Sequence, residues 1–308
     1  MQEQSRAVRL DAFGGPEVLD VREVSAPQAG QVRVRVSAAG LNPMDWIMTA
    51  DADTAARFGL SLPAGFGTDY AGVVDQVGAG VTGFAPGDRV FGGALSRAVA
   101  DFVVIEPAGA IAANEAHHTP DGVDDRTAAT LTIAGRTASA ALAVVAPGPV
   151  DTVLIGGAAG GVGVFAVQLA RIAGARVIGT GSASSADFLR DLGAEPVVYG
   201  DGLADRVRAL VPGGVTAAID LHGTETVHVA RDLGVPDGRI CTVAAQVDGV
   251  SAANGANAAP GALEELARLV AAGRLRVPVG ASFPIGQIRR AAELQAGRHV
   301  HGKVVIDL

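Results

Sequence analysis

The sequence predicts an α/β protein with two domains, one built from antiparallel strands and one from a parallel sheet. The chain has 308 residues, which is enough for two domains at roughly 150 residues each. In the first 125 residues, short strand patterns alternate with closely spaced turn signals. From about residue 126, continuous β-branched runs alternate with helical segments, as is typical of a parallel sheet covered by helices.

The first predicted domain consists of short strands with short connections. Residues 31–36 alternate strictly, which predicts a strand with its valines buried and its arginines in water. Turn signals recur at Gly14-Gly15-Pro16, Asn42-Pro43 and Pro86-Gly87-Asp88. We therefore expect an antiparallel sheet that curls into a barrel.

The second predicted domain alternates strands and helices. Buried strands are predicted at residues 152–155, 176–179, 217–220 and 239–243. The predicted helices, residues 164–173 and 186–192, are followed by Gly174 and Gly193, glycine being the usual residue just after a helix. This order predicts parallel strands joined by crossover helices.

Residues 251–261 are small and polar, and they predict a loop at a domain boundary. A helical stripe follows, formed by Leu263, Leu266, Ala267 and Val270. Short strand patterns then return. We therefore predict a first domain of residues 1–125 completed by 262–308, and a second domain of residues 126–261.

Composition excludes several function classes. With 24 basic and 32 acidic residues, the net charge of −8 disfavours nucleic-acid binding through bulk charge. The longest apolar stretch, Val153 to Val167, is shorter than the roughly 18 residues that a membrane span needs. The polar N-terminus lacks the apolar region of a secretory signal, so a cytoplasmic location is expected. A single cysteine, Cys241, excludes an internal disulfide and a multi-cysteine zinc site.

A glycine-rich segment, residues 156–163, lies between a predicted strand and a predicted helix. In this position, glycines allow the backbone to approach a pyrophosphate, which the free N–H groups and the helix dipole stabilise. The segment predicts dinucleotide binding through Ala159, Gly160, Gly161 and Val162; the alternative is close strand-to-helix packing alone. In the G-x-G-x-x-G frame, the first glycine is replaced by Ala158, and Gly160 and Gly163 follow.

The end of the next predicted strand indicates which dinucleotide binds. It carries Thr180-Gly181-Ser182, where an Asp or Glu would contact the ribose hydroxyls of NAD. A carboxylate would repel a 2′-phosphate, whereas the Ser182 hydroxyl donates a hydrogen bond. Gly181 and Ser182 therefore favour NADPH, although residues 183–187 contain no Arg or Lys.

Seven segments in order resemble one known family. They are Ala39 to Asp45, Gly67 to Val74, Gly87 to Phe91, Gly135 to Ala138, Ala158 to Gly163 with Gln168, Leu192 to Ala194, and Gly302 to Val305. On these segments the chain resembles the zinc-independent, zeta-crystallin-like quinone oxidoreductases of the medium-chain dehydrogenase/reductase superfamily. The resemblance implies a GroES-like β-barrel catalytic domain, a Rossmann domain with a doubly wound parallel sheet, NADPH bound in the cleft, and a homodimer.

The resemblance also implies catalysis without a metal. In zinc-dependent relatives a cysteine ligand lies near the position of Asn42, and Gly-His-Glu stands at Gly67-Thr68-Asp69. This chain has neither the cysteine nor the histidine there. Without a Lewis acid, the accessible chemistry is hydride transfer to an acceptor activated by conjugation, such as a quinone, an enone or an enoyl thioester.

Three residues of one loop are the predicted catalytic group. By resemblance, Asn42 points into the cleft, where its amide hydrogen-bonds the substrate carbonyl; the alternative is that Asn42 only shapes the turn before Pro43. Asp45 relays a proton or holds Asn42, and Trp46 offers a flat wall to a planar ring. For Asp45 and Trp46, packing or surface roles are equally open.

Five further residues are predicted to bind the cofactor by resemblance. Thr137 lies at the nicotinamide end or bonds back within a helix start. Tyr199 lies by the adenosine phosphate or on the surface. Ala244 and Phe283 pass along the nicotinamide half, mainly through backbone atoms. Lys303, the only lysine of the chain, closes over the cofactor cleft or is a solvated strand end.

Other polar residues have simpler explanations. Asp220 and His222 follow a predicted parallel strand, where they either line the ligand crevice or cap the strand end. His117-His118 is predicted as a surface turn rather than a metal pair.

The sequence therefore predicts an NADPH-dependent oxidoreductase that acts on a small-molecule quinone or enone. Reduction of an enone or a 2-enoyl thioester is the alternative within the same class. An NADPH-binding redox sensor with little turnover is an alternative of another class, since one fold hosts many functions.

Overall fold

The structure is a computed structural model that describes residues 4–26, 31–106 and 114–308. Its strands are β1 (Gln4–Leu10), β2 (Asp20–Ser25), β3 (Val32–Leu41), β4 (Ala64–Gly65), β5 (Asp69–Val77), β6 (Arg89–Ala94), β7 (Phe102–Ile105), β8 (Asn114–His118), β9 (Thr152–Gly156), β10 (Arg176–Gly181), β11 (Glu195–Val198), β12 (Ala217–Asp220), β13 (Ile240–Thr242), β14 (Ser251–Ala252), β15 (Val279–Pro284) and β16 (Lys303–Asp307). Its α-helices are α1 (Pro43–Ile47), α2 (Ala52–Arg57), α3 (Asp125–Ala128), α4 (Arg136–Val145), α5 (Gly163–Ile172), α6 (Ala186–Asp191), α7 (Leu203–Leu210), α8 (Glu225–Asp232), α9 (Ala262–Ala271) and α10 (Ile288–Ala296).

The chain forms two compact units. The first comprises Met1–Ile133, Leu263–Ala271 and Val279–Leu308, and the second comprises Ala134–Ala262 and Ala272–Pro278. The units change at residue 134, later than the predicted domain boundary at 126. They also assign residues 272–278 to the second unit. The division into domains as predicted stays a prediction.

The first unit contains two sheets. A three-stranded antiparallel sheet has the order β2-β1-β4. A seven-stranded sheet has the order β15-β16-β3-β5-β6-β8, with β7 also paired to β3. Its strand pairs are antiparallel except β15 with β16. The predicted antiparallel, strand-rich organisation of this part is confirmed.

The alternating strand at residues 31–36 is present as the start of β3, but one of its arginines is buried. Val32, Val34 and Val36 lie in the core and Arg35 is exposed, as predicted. Arg33 is only 4% exposed, which corrects the prediction that both arginines face water. Its guanidinium pairs with Asp75 at 2.6 Å and lies over the ring of Phe102, so the charge is compensated inside the protein.

The histidine pair of the first unit is also placed differently from the prediction. His117 and His118 lie in β8 rather than in a surface turn. The ring of His117 contacts the carboxylates of Glu115 and Glu264, and the ring of His118 stacks on Phe84. The strand continues through this polar segment because β6 supplies its backbone hydrogen-bond partners.

The second unit is a parallel six-stranded sheet with the order β11-β10-β9-β12-β13-β14. This confirms the predicted parallel sheet. Gly174 and Gly193 follow α5 and α6 in the left-handed conformation, as the sequence predicts. The predicted loop at 251–261 is partly wrong, because residues 251–252 form β14 on the sheet edge and Gly255–Asn257 form a short 3-10 helix.

Within residues 4–26, 31–106 and 114–308, no helix is both long enough and apolar enough to span a bilayer.

Candidate active site

A buried polar cluster of the first unit is built around the start of α1. Asn42 is the residue before this helix, with extended backbone. Its N–H donates to Asp45 Oδ2 at 2.8 Å, and Thr68 Oγ1 donates to Asp45 Oδ1 at 2.7 Å. Asp45 therefore holds the backbone of Asn42 from within the first helical turn, as in the capping arrangement common at helix starts.

The side chain of Asn42 contacts one residue of β16 and one residue of β5. Lys303 Nζ donates to Asn42 Oδ1 at 2.5 Å and to the carbonyl oxygen of Leu41 at 3.1 Å. Asn42 Nδ2 donates to Asp69 Oδ2 at 3.0 Å. The alternative role of Asn42, shaping the turn before Pro43, is therefore incomplete, because its side chain also contacts Lys303 and Asp69.

Strand pairing brings these residues together. Lys303 is the first residue of β16, which pairs with the end of β3 so that Val304 faces Leu41. Asp69 is the first residue of β5, which pairs with β3 on the other side so that Asp69 faces Gly40. Since β3 lies between β16 and β5, the residue that follows it is held from both sides.

The cluster carries more acidic than basic groups and is closed to solvent. Asn42, Asp45, Asp69 and Lys303 are each at most 2% exposed. Burial raises the pKa of Asp45 to about 6, against the hydrogen bonds from Thr68 and Asn42. Burial likewise raises the pKa of Asp69 to about 7, against the charge of Lys303 and the Asn42 hydrogen bond. Burial lowers the pKa of Lys303, against the two carboxylates.

The structure corrects one reading of Lys303 and adds residues that the sequence did not single out. Lys303 is 2% exposed, so it is not a solvated strand end. Asp69 and Thr68 were noted only as replacements of metal ligands. An aspartate at the start of an apolar strand, in a chain with one lysine, is the signal that would have suggested a charge interaction between the two residues.

Trp46 lies on the same helix but is fixed by packing. Its indole Nε1 donates to Gln295 Oε1 of α10 at 2.6 Å, and the residue is half-buried. This contact anchors α1 to α10, and it leaves the role of the ring as a wall for a planar substrate a prediction.

One residue near this cluster carries a buried hydroxyl group that the sequence did not single out. Thr132 Oγ1 is inaccessible to solvent and has no hydrogen-bond partner among the described residues. It belongs to a π-helical turn, Leu131–Gly135, whose Ile133 N–H donates to the Asp69 carboxylate. Turns of this type are frequent at functional sites, and an unpaired buried hydroxyl is costly unless a ligand satisfies it. The sequence analysis did not identify Thr132.

In the second unit, the glycine-rich segment forms a tight turn between β9 and α5. Gly157 adopts a positive φ of 70°. Ala158, the expected first position of the frame, is buried instead and donates its N–H to the carbonyl of Thr180. Gly157, one residue before the first position of the frame, thus makes the turn, because only a glycine adopts this conformation without strain.

The segment after the turn can accept a pyrophosphate. At Gly163, the first residue of α5, an added Cβ would lie 2.4 Å from the carbonyl oxygens of Gly157 and Ala158, so close packing requires glycine there. At Gly160, the nearest protein atom to such a Cβ is 3.4 Å away. Ala159, Gly160, Gly161 and Val162 lie between this turn and the N-terminus of α5, where the helix dipole favours an anion. The N–H of Gly160 already donates to the carbonyl of Gly157 at 3.1 Å.

The predicted adenosine-phosphate residues are neighbours at the carboxyl ends of two paired strands. Ser182 follows β10 directly, and its hydroxyl contacts those of Ser184 and Ser185 at 2.9 and 2.8 Å. Tyr199 follows β11, donates its N–H to the carbonyl of Gly181, and is 51% exposed.

A cation also reaches this edge of the sheet. The guanidinium of Arg206 in α7 donates to the carbonyls of Val198, Tyr199, Gly200 and Asp201. Arg206 is not among the predicted cofactor residues, because it is far along the chain from Ser182. Its spacing of seven residues from Tyr199, across a turn into a helix, is the only signal in the sequence.

The other predicted residues of the second unit differ in their surroundings. Asp220 accepts hydrogen bonds from the N–H groups of His222, Gly223 and Thr226, which is the strand-capping alternative. His222 is exposed, Thr137 is buried in α4, and Ala244 is exposed after β13.

Phe283 belongs to the first unit. It lies in β15, packs against the core of that unit, and has Arg290 over its ring.

Across the described ranges, no three His, Cys, Asp or Glu side chains are grouped as a metal would require.

Comparison with known proteins identifies the family. The family model described as "Alcohol dehydrogenase GroES-like domain" matches residues 28–101, and the one described as "Zinc-binding dehydrogenase" matches residues 161–270. A quinone oxidoreductase of Pseudomonas aeruginosa is 30% identical over 98% of this chain and 99% of its own length.

Solved structures agree over the whole chain. CurK enoyl reductase has a TM-score of 0.85 at 26% identity, covering 99% of each chain. Mycobacterial Rv1454c in complex with NADPH has a TM-score of 0.83 at 27% identity, covering 99% of this chain and 100% of its own. The chain therefore belongs to the zeta-crystallin-like quinone oxidoreductase family of the medium-chain dehydrogenase/reductase superfamily, and it is an enzyme of this kind.

Proposed function

We propose that this enzyme transfers hydride from NADPH to a quinone or a similar conjugated carbonyl acceptor, without zinc. The observation that carries the proposal is the buried Asn42 amide, which Lys303 and Asp69 hold with its nitrogen as the donor end. A fixed N–H donor stabilises the negative charge that forms on a carbonyl oxygen when hydride arrives.

The second unit supplies the cofactor site of this proposal. Ala159, Gly161 and Val162 bind the pyrophosphate through backbone N–H groups, and Ser182 donates to the 2′-phosphate. Gly160 leaves the space in which the pyrophosphate approaches the backbone. Tyr199 lies beside Ser182, and Arg206 brings positive charge to the same edge of the sheet. When bound, NADPH supplies a hydride. We propose Thr137, Gly181, Ala244, Phe283 and Lys303 as the remaining residues that border it.

The first unit supplies the groups that act on the acceptor. The Asn42 N–H donates to the carbonyl oxygen of the acceptor, and Asp45 keeps the Asn42 backbone in place. A quinone gains two electrons and one proton as hydride, and a second proton from water or a side chain completes the hydroquinone. Trp46 faces the planar ring in this proposal.

The donor set does not fit a catalytic zinc. Asn42 and Thr68 stand where the zinc-dependent relatives are expected to carry a cysteine and a histidine. The Asn42 amide oxygen contacts the ammonium group of Lys303 at 2.5 Å, and a second cation at this oxygen would be repelled. Elemental analysis of the purified enzyme tests this part, since a stoichiometric transition metal would overturn it.

The direct test is oxidation of NADPH with a panel of quinones and enones. We expect turnover with 1,4-benzoquinone and, in Asn42→Ala, a loss of kcat of about 30-fold or more because one transition-state donor is removed. The NADPH dissociation constant should stay within about threefold in that variant. Turnover that is unchanged in Asn42→Ala would remove Asn42 from the chemistry.

Reduction of an enone or a 2-enoyl thioester is the second candidate. It is favoured by the structural similarity to CurK enoyl reductase. Higher kcat/KM for a 2-enoyl thioester than for any quinone of the panel would select it. If no acceptor consumes NADPH, the redox-sensor hypothesis replaces both.

The proposal also includes the biological context. We propose a homodimer that acts in the cytoplasm on a small molecule, without a nucleic-acid or membrane partner. Light scattering coupled to size-exclusion chromatography tests the dimer, and a monomeric mass would contradict it.

A further inference from the structure

We propose that Lys303 and Asp69 are positioning residues, which together fix the side-chain amide of Asn42 in one orientation, and that the ammonium group of Lys303 strengthens the N–H of this amide as a hydrogen-bond donor. The inference rests on the proposed function, because it concerns the Asn42 amide that acts on the acceptor. It assigns Lys303 a role in the substrate half of the reaction in addition to any contact with the cofactor.

The orientation of the amide follows from the chemistry of its neighbours. A lysine ammonium group only donates hydrogen bonds, so the Asn42 atom 2.5 Å from Lys303 Nζ must be the oxygen. The nitrogen then faces the Asp69 carboxylate, which accepts one of its two N–H bonds. Rotation of the amide by 180° would place N–H against ammonium and oxygen against carboxylate. One N–H bond is thus left for a substrate oxygen.

The contact with Lys303 also polarises the amide. Positive charge at the amide oxygen draws electron density from the nitrogen toward the oxygen, which makes the N–H groups better donors. Chains of hydrogen bonds strengthen one another in this way, most of all in a low-dielectric interior. The side chains of Asn42, Asp69 and Lys303 are each at most 2% exposed, so water does not screen this polarisation.

The charges of the cluster make its action sensitive to pH. The titratable groups of the cluster are Asp45 on α1, Asp69 on β5 and Lys303 on β16. With both carboxylates ionised, the cluster carries one negative charge that no buried cation balances. This charge opposes the negative charge that forms on the substrate. Since the pKa of Asp69 is raised to about 7, we expect kcat to fall as the pH rises through about 7.

The main test uses a charge-matched double variant. Lys303→Met alone leaves two buried carboxylates without a cation and is expected to compromise folding. Lys303→Met with Asp69→Asn removes one charge of each sign. In this variant we expect kcat for 1,4-benzoquinone to fall by about 10-fold or more. The measurement is made at saturating NADPH, because Lys303 is also proposed to border the cofactor.

The decisive measurement is the effect of adding Asn42→Ala to the double variant. If the two residues act through Asn42, its removal should cost less than about threefold once they are absent, because coupled residues are not additive. A full additional loss would overturn the proposal. So would a double variant that keeps the original kcat. In both cases Asn42→Ala in the otherwise unchanged enzyme still tests the proposed function separately.

Two further measurements do not depend on the double variant. Asp69→Asn is nearly isosteric, and it should remove the fall of kcat near pH 7; an unchanged pH profile would contradict the proposal. Because Lys303 is the only lysine, labelling lysine with ¹³C at the ε-carbon gives one lysine signal. We expect Asn42→Ala to shift that signal, and an unmoved signal would exclude the contact in solution.

Discussion

The two candidate regions are built by different chemical means. The cluster around Asn42 in the first unit depends on side chains, and it contains two carboxylates and an ammonium group within a buried network. The turn from Gly157 to Gly163 in the second unit offers backbone N–H groups and no charged side chain. The Asn42 cluster depends on the identity of each side chain, whereas the turn depends on glycines that leave its backbone accessible. Mutations should therefore affect the two regions in different ways.

The largest effect is expected where the backbone approach is closest. In Gly163→Ala, the added Cβ would lie 2.4 Å from two carbonyl oxygens, so the turn and α5 must move apart. We expect a loss of about 3 kcal/mol or more in the free energy of unfolding, together with loss of NADPH binding. Urea unfolding and a fluorescence titration with NADPH measure both quantities.

Gly213→Ala is the matched control for this substitution. No atom lies within 4 Å of a Cβ added at Gly213. It should leave stability within about 0.5 kcal/mol and NADPH binding unchanged. Equal stability of the two variants would show that the packing at Gly163 is looser than described.

The charged cluster should respond to pH rather than to volume. The pKa of Asp69 is raised from 3.8 to about 7 in the folded state, so the folded protein holds this proton more tightly than the unfolded chain. The resulting stabilisation is complete below about pH 4 and is lost as the pH rises through 7. Asp69→Asn should therefore be more stable than the original protein at pH 8, by about 2 kcal/mol.

Urea unfolding at pH 5 and pH 8 measures this difference. Asp75→Asn is a suitable control, because it removes a carboxylate of the same strand that pairs with Arg33. That variant should be destabilised at pH 8. A stability gain of Asp69→Asn that does not depend on pH would mean that the Asp69 carboxyl does not titrate between these values.

The same contrast explains what the sequence could predict. The glycine-rich turn, the strands around it and Ser182 form local patterns, because their chemistry is carried by neighbours along the chain. The contact of Lys303 with Asn42 joins residues 261 positions apart, and it depends on the pairing of β16 with β3. No local pattern reports that pairing. The sequence therefore suggested Asn42 and Lys303 as separate candidates, but not the contact between them or the contact of Asn42 with Asp69.

Errors in the prediction have a related cause. Alternation along β3 indicated two solvated arginines, but Arg33 is buried because Asp75 and Phe102 compensate its charge from other strands. Arg206 was missed for the same reason, since it reaches Tyr199 through the turn before α7. In both cases a side chain finds a partner that only the tertiary structure brings close.

Gly160→Ala separates ligand binding from packing in the second unit. The added Cβ would lie 3.4 Å from the nearest protein atom, the carbonyl oxygen of Gly157, which is an ordinary contact. The free protein should keep its stability, whereas the Cβ would occupy the space of the pyrophosphate. We expect NADPH and NADH to bind about 10- to 100-fold more weakly, a cost of about 1.4 to 2.8 kcal/mol.

Gly148→Ala serves as the control for that measurement. Its added Cβ would lie 3.9 Å from the Asp151 carboxylate, and Gly148 precedes β9 rather than following it as the turn does. Unchanged nucleotide affinity in Gly160→Ala would place the pyrophosphate elsewhere and would leave only the packing role of the glycines.

The smallest effect is expected where the second unit uses a side chain. Ser182 stands at the end of β10, with its hydroxyl among those of Ser184 and Ser185. In Ser182→Asp, the new carboxylate should repel the 2′-phosphate of NADPH but not the 2′-hydroxyl of NADH. We expect the affinity for NADPH to fall about tenfold more than that for NADH, because one charge pair at a solvated edge is worth about 1 to 2 kcal/mol.

Ser182→Ala removes the hydroxyl without adding charge, so it should weaken NADPH only about threefold. Titrations with both nucleotides in both variants separate charge from hydrogen bonding. Equal losses of NADPH and NADH in Ser182→Asp would show that the phosphate lies elsewhere, and Arg206 would then be the next residue to substitute. A selective loss would mean that this unit distinguishes its cofactor by one side chain, although it holds the pyrophosphate by backbone alone.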